Sequence, residues 1–120
     1  MTTPRGSASS QDRTRRTLHD FLAFAESGAR LVARGRQAYD CDEMVRLAAE
    51  AILHRVGEAV ARLDAGFVTA HPNVSWRTMK AMCNVVAHQY GAIDHNIVWN
   101  ALERDLPREA EEVRRILAND

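Results

Sequence analysis

Several things are scarce in this chain of 120 residues, and each scarcity removes a class of protein. Sixteen basic residues balance sixteen acidic ones, so no bulk field draws the molecule onto nucleic acid or an anionic membrane, and any nucleic-acid contact must be local. Lysine is nearly absent. Lys80 is the single example, and the remaining basic residues are arginines, whose planar forks suit carboxylates and phosphates alike. No apolar run approaches the roughly 18 residues of a membrane span, and no apolar leader opens the sequence, so a cytoplasmic location is expected. Cys41 and Cys83 do not form a CxxC pair and HExxH is missing, so no built-in zinc site or other cofactor is expected. Glu50, His54 and Glu58 share one helix face at four-residue steps. One helix supplies too few converging ligands for a metal, and paired surface charges account for the spacing equally well.

The length allows one domain that buries roughly two thirds of its unfolded surface. Residues 1–11, MTTPRGSASSQ, have no apolar periodicity and are expected to be a disordered tail, leaving 12–120 as the domain. Leu18, Phe21, Leu22, Ala25, Ala29 and Val32 recur at three and four and predict a helix ending near Gly35. After a linker, GRQAYDC, Asp40 and Glu43 make a capping-box pattern for a second long helix bearing Val45, Ala49, Ile52, Val56, Val60 and Leu63, stopped by Gly66. Gly57 within it costs about 1 kcal/mol against alanine, and a close backbone neighbour would offset that.

The turn at His71–Asn73 leads into a third helix over 75–88, with Trp76, Met79, Met82, Val86 and Tyr90 as its apolar stripe. Asp94 suits the cap of a fourth helix, and Pro107 the first turn of a fifth with Ala110, Val113, Ile116 and Leu117 inward. Alternating β-branched runs are missing, so strands are not expected. The fold class is all-α, an antiparallel bundle of about four to five helices.

The stretch richest in chemistry is CNVVAHQY, Cys83 to Tyr90. Asn84 and His88 are four apart and sit on one helix face, and Tyr90 falls where Gly91 ends the helix. Arg77 and Lys80 climb the same side and offer possible phosphate contacts. Plain structural readings stand beside these: His88 as a histidine bonded at a helix end, Tyr90 as a core aromatic, Cys83 as a small apolar filler, Asn84 as a solvated amide.

Four segments, in order, resemble the HEPN superfamily and in particular its small HepT-like toxins of nucleotidyltransferase-linked toxin-antitoxin pairs. They are HRVGEAVARL (54–63), HPNVSW (71–76), NVVAHQY (84–90) and IDHNIVWNALERDLP (93–107). The resemblance implies a HEPN-like helical bundle and a metal-independent ribonuclease in which the ribose 2′-hydroxyl attacks the adjacent phosphate. Carried onto this chain, the family's catalytic histidine is His88 and its polar residue is Asn84. Its signature arginine falls on Cys83. A thiol cannot fork onto phosphate oxygens, so the resemblance implies an inactive or weakened enzyme. It further implies a homodimer, an RNA substrate, and a nucleotidyltransferase antitoxin that adenylylates Tyr90. The alternative is a non-catalytic helical module that engages the nucleotidyltransferase.

Overall fold

In the computed structural model the backbone is described for residues 5–88 and 94–119, and side chains for these residues apart from 5–9, 82, 83 and 85–88. Seven α-helices and one π turn follow one another: α1 Arg5–Val32, α2 Arg36–Cys41, α3 Glu43–Ala61, α4 Ala65–Ala70, α5 Trp76–His88, α6 His95–Asn100, the π turn Ala101–Asp105, and α7 Leu106–Ala118. The last three join into one continuous rod. Four long rods and two short helices therefore make up the all-α bundle among the described residues. None of these helices is long and apolar enough to cross a membrane.

The long helix α3 lies at the centre, against α1 on one side and α5 on the other, and α1 also packs on α7. Its inward residues Val45, Ala49, Leu53, Val56 and Val60 are buried, and they meet Leu18 and Phe21 of α1 within one core. Each large apolar side chain sealed in this way contributes about 1.5–3 kcal/mol. Met79 of α5 and Val113 of α7 are both fully covered, which ties the outer rods to the same core.

Local chemistry departs from the sequence expectations at several places. Helix α1 is described from Arg5, inside the stretch expected to be a tail; no proline interrupts residues 5–32, and extending an existing helix by one residue costs far less than nucleating one. The expected linker 35–41 is largely helical. Gly35 turns the chain at φ 94°, a conformation open to glycine, and burial of Tyr39 holds α2 against its neighbours. The cap of α3 is Asp42, whose carboxylate accepts from the Met44 N–H at 2.9 Å, while Asp40 is drawn to Arg36 at 2.8 Å. Gly66 does not stop α3, which ends at Ala61. It lies inside α4, where Asp64 accepts from the Phe67 N–H and starts a fresh turn.

Asp94 caps α6 as expected, through the Asn96 N–H. The expected break before the last helix is replaced by the π turn. Pro107 has no N–H to donate one turn back and its ring crowds the carbonyl there, so a widened turn just ahead of it keeps the rod continuous. Gly28 lets α1 approach this bulge closely: a Cβ there would lie 3.2 Å from side-chain carbons of both Leu102 and Leu106. Gly57 is buried on α3.

Candidate functional site

Helix α5 depends on two neighbours for its position. The carboxylate of Glu109, from α7 and only 2% exposed, accepts a hydrogen bond from the Ser75 N–H at 2.8 Å, just ahead of the first turn of α5. A negative charge there satisfies an otherwise orphaned donor and complements the positive end of the helix dipole. The Trp76 indole donates to the His71 carbonyl at 2.9 Å, while the His71 ring meets the Phe67 carbonyl through Nδ1 at 3.0 Å and packs on the Phe67 ring at 4.3 Å. The HPN turn is thus knotted to both α4 and α5. Its histidine is committed to structure.

From that anchored start, α5 buries Trp76 and Met79 and turns Arg77, Lys80 and Asn84 to solvent. These three sit at steps of three and four residues, so the sequence reading of one polar side holds for them. Neither Arg77 nor Lys80 has an ion pair or side-chain hydrogen bond among the described residues. His88 is the last residue of α5. The side chains of His88 and Cys83, and the whole of Tyr90, lie outside the described residues. The chain carries no aspartate or glutamate between Asp64 and Asp94, so everything from α4 to the end of α5 has a cationic balance inside a neutral protein. That gap in the acidic residues was a readable signal for a local anion-facing surface, and the overall net charge conceals it.

Another cleft, of about 530 Å³, lies between the first turns of α1 and α4, lined by Gln11, Thr14, Asp64, Phe67 and His71 among others. Two of its polar groups, Asp64 and His71, are engaged in holding α4, since both bond Phe67. It offers little for chemistry. On α3, His54 Nε2 lies 3.7 Å from Glu58, and no group of three or more His, Cys, Asp or Glu side chains converges among the described residues.

A different corner holds the cation Arg36, which lies 5.7 Å and 5.8 Å from the ring centres of Tyr39 and Trp99, bonds Asp40, and reaches the Asn96 amide oxygen on α6. The Tyr39 hydroxyl is buried with no hydrogen-bond partner among the described residues. Burial, and then the nearby Glu50 charge, push its ionisation above the ordinary 10.0, with Arg36 and Arg46 pulling the other way. The site expectations did not anticipate this corner or Glu109.

The described residues form an α-helical bundle with exposed cations on the anchored α5, which is consistent with a HEPN-like helical fold. Residues 20–116 match the family described as Ribonuclease HepT-like, and the chain belongs to that family. Among its relatives is a protein of Methanocaldococcus jannaschii named "Putative RNase MJ1380", 32% identical over 72 residues, which are 60% of this chain and 66% of the relative. A second from that organism, "Putative RNase MJ0127", is 29% identical over 65 residues, 54% of each chain. "Putative RNase TTE0752" of Caldanaerobacter subterraneus subsp. tengcongensis is 28% identical over 68 residues, 57% of this chain and 61% of the relative. The aligned parts span between about half and two thirds of these relatives. No solved structure gives a significant match.

Proposed function

We infer that the chain is a metal-independent endoribonuclease of the HepT-like toxin type, weakened by the residue at position 83. The family match across residues 20–116, which takes in the whole signature segment, carries this reading. The exposed line of Arg77, Lys80 and Asn84 on α5 supports it. In this mechanism an imidazole, titrating near 6.5 when unperturbed, takes the proton of the ribose 2′-hydroxyl as that oxygen attacks the neighbouring phosphorus. The P–O bond to the next nucleoside then breaks and its oxygen receives a proton. His88 has that role, and Asn84 donates to a phosphate oxygen. The charge that builds on the non-bridging oxygens calls for a fixed cation, and Cys83 brings none.

The size of that deficit follows from other oxyanion sites, where losing one preorganised donor costs about 100- to 1,000-fold in rate. Two chains, related by a two-fold axis that pairs their α5 helices, would form the RNA cleft. The natural silencing step would be adenylylation of Tyr90 by a partner nucleotidyltransferase in the cytoplasm, which sets a negative phosphodiester two residues from His88 and repels the substrate phosphate.

The test is Cys83→Arg with RNA in the presence of a chelator. The expected result is cleavage about 100- to 1,000-fold faster than by the parent chain, lost again in Cys83→Arg/His88→Ala. The presence of Cys83 favours one rival, a non-catalytic module that binds the nucleotidyltransferase. Continued inactivity of Cys83→Arg together with tight binding of that partner would establish the rival instead.

A further inference from the structure

A groove of about 350 Å³ runs between the end of α3, the side of α4 and the first turns of α5. Its walls are apolar, built from Val60, Leu63, Val68 and Trp76, and its charged lining consists of Arg77 and Lys80. No carboxylate lines it, and both cations are exposed and without a partner among the described residues. Pockets for small ligands begin at about 300 Å³, so the groove admits one flat heterocycle with its attached phosphate and not a folded partner.

The geometry points to a nucleotide subsite: the groove takes one base of single-stranded RNA against its apolar wall, while Arg77 and Lys80 hold the phosphates on either side of that base. This deepens the ribonuclease reading above and rests on it. Charge and position select the occupant. Arg77 and Lys80 are three residues apart on one helix face, Asn84 lies one turn beyond Lys80, and His88 ends the same helix. Eleven residues separate Arg77 from His88, about 16 Å along the axis, so a strand bearing its reactive phosphate at the end of α5 passes the groove a few nucleotides away. An apolar wall beside two cations is also the usual make-up of sites for single strands, which stack bases and neutralise phosphates without reading sequence strongly. The subsite therefore sets affinity and the preferred base at a distance from the cut. It takes no part in bond breaking.

The experiment is fluorescence anisotropy of the full chain with a short labelled single-stranded RNA, and with an abasic oligonucleotide of the same length, across a salt series. Arg77→Ala/Lys80→Ala is expected to weaken RNA binding about tenfold and to flatten the slope of log K against log salt by roughly 1.4, the value for two lost phosphate contacts on a single strand. Ala61→Trp, placed at an exposed position on the groove, is expected to weaken RNA binding several-fold and leave the abasic strand unaffected. Both variants should keep the parent melting temperature. RNA binding with unchanged affinity and slope in both variants would overturn the subsite while leaving the ribonuclease reading intact. A parent chain that binds no RNA at all would overturn both. Equal binding of polyglutamate and RNA would reject the nucleotide and assign the groove to an acidic protein partner.

Discussion

Helices α5 and α7 have the same length, thirteen residues each, and both place basic side chains on a solvent face. They use them in opposite ways. On α7 every arginine has a carboxylate within a turn: Arg108 meets Asp105 and Glu109, Arg114 meets Glu111, and Arg115 meets Glu112. On α5 the helix has no acidic residue, and Arg77 and Lys80 point outward without partners among the described residues. Paired charges of the α7 kind stabilise a helix slightly and leave no net field. Unpaired ones are a standing cost in local repulsion that an anionic ligand relieves. The contrast shows that a neutral protein can reserve a cationic surface by withholding carboxylates from one segment.

The sharpest way to break this comparison is at the residue that joins the two helices. Glu109 is the acidic residue of α7 that is buried, and it serves α5 by accepting from the Ser75 N–H. Glu109→Ala leaves a buried donor without its partner and is expected to cost about 1–3 kcal/mol of stability. Glu109→Gln keeps an uncharged acceptor of the same shape and should lose less. Urea denaturation measures both. Equal losses would mean that the charge, and not the hydrogen bond, anchors α5, and no loss in either would leave the start of α5 held by Trp76 alone.

A cation held by aromatic rings provides the intermediate case. Arg36 lies over Tyr39 and Trp99, and the Tyr39 hydroxyl beneath is buried and unpartnered among the described residues. Because folding raises the ionisation of this phenol above 10.0, the folded chain keeps its proton where the unfolded chain begins to lose it. Its contribution is therefore complete below pH 10 and declines as the pH climbs through the raised value. Tyr39→Phe retains the ring for Arg36 and removes the hydroxyl. Stability near neutral pH is expected to hold or rise by up to about 1 kcal/mol, and the alkaline decline should flatten in denaturation curves taken on both sides of pH 10. A clear loss at neutral pH would show that the hydroxyl itself holds the corner.

The parts of this structure legible in the sequence are those governed by local periodicity and by single caps. The stripes from Leu18 to Val32 and from Val45 to Val60 lie on α1 and α3, and Asp94 caps α6. Illegible were the choices made by tertiary contact. Asp40 and Asp42 are equally good caps on paper, and Arg36 decides between them by taking Asp40. Gly35 and Gly66 read alike as breakers, yet Asp64 starts a helix that contains Gly66. Glu109 has the pattern of a surface carboxylate, and only the fold brings it to Ser75 across 34 positions. For the site, the helix face shared by Arg77, Lys80 and Asn84 followed from spacing. The groove beside them did not, since its walls come from three separate helices.

The smallest expected effect is also the most discriminating for the α5 and α7 contrast. Arg114 and Arg115 are as exposed as ordinary surface arginines, with side-chain exposures of 45% and 63%, and each is matched to a carboxylate three residues back. Such pairs contribute about 0.2–0.5 kcal/mol apiece, so Arg114→Ala/Arg115→Ala should cost no more than about 1 kcal/mol and lower the melting temperature by only a few degrees. The same double substitution removes as much positive charge as Arg77→Ala/Lys80→Ala. If RNA responded to net charge alone, the two doubles would weaken it equally. If it responds to unpaired cations, the α7 double should leave both affinity and salt slope close to those of the parent, because removing those arginines releases Glu111 and Glu112 but takes nothing from the face that meets the phosphates. Anisotropy titrations of the two doubles at one salt concentration decide the matter, and equal weakening would dissolve the distinction between the helices.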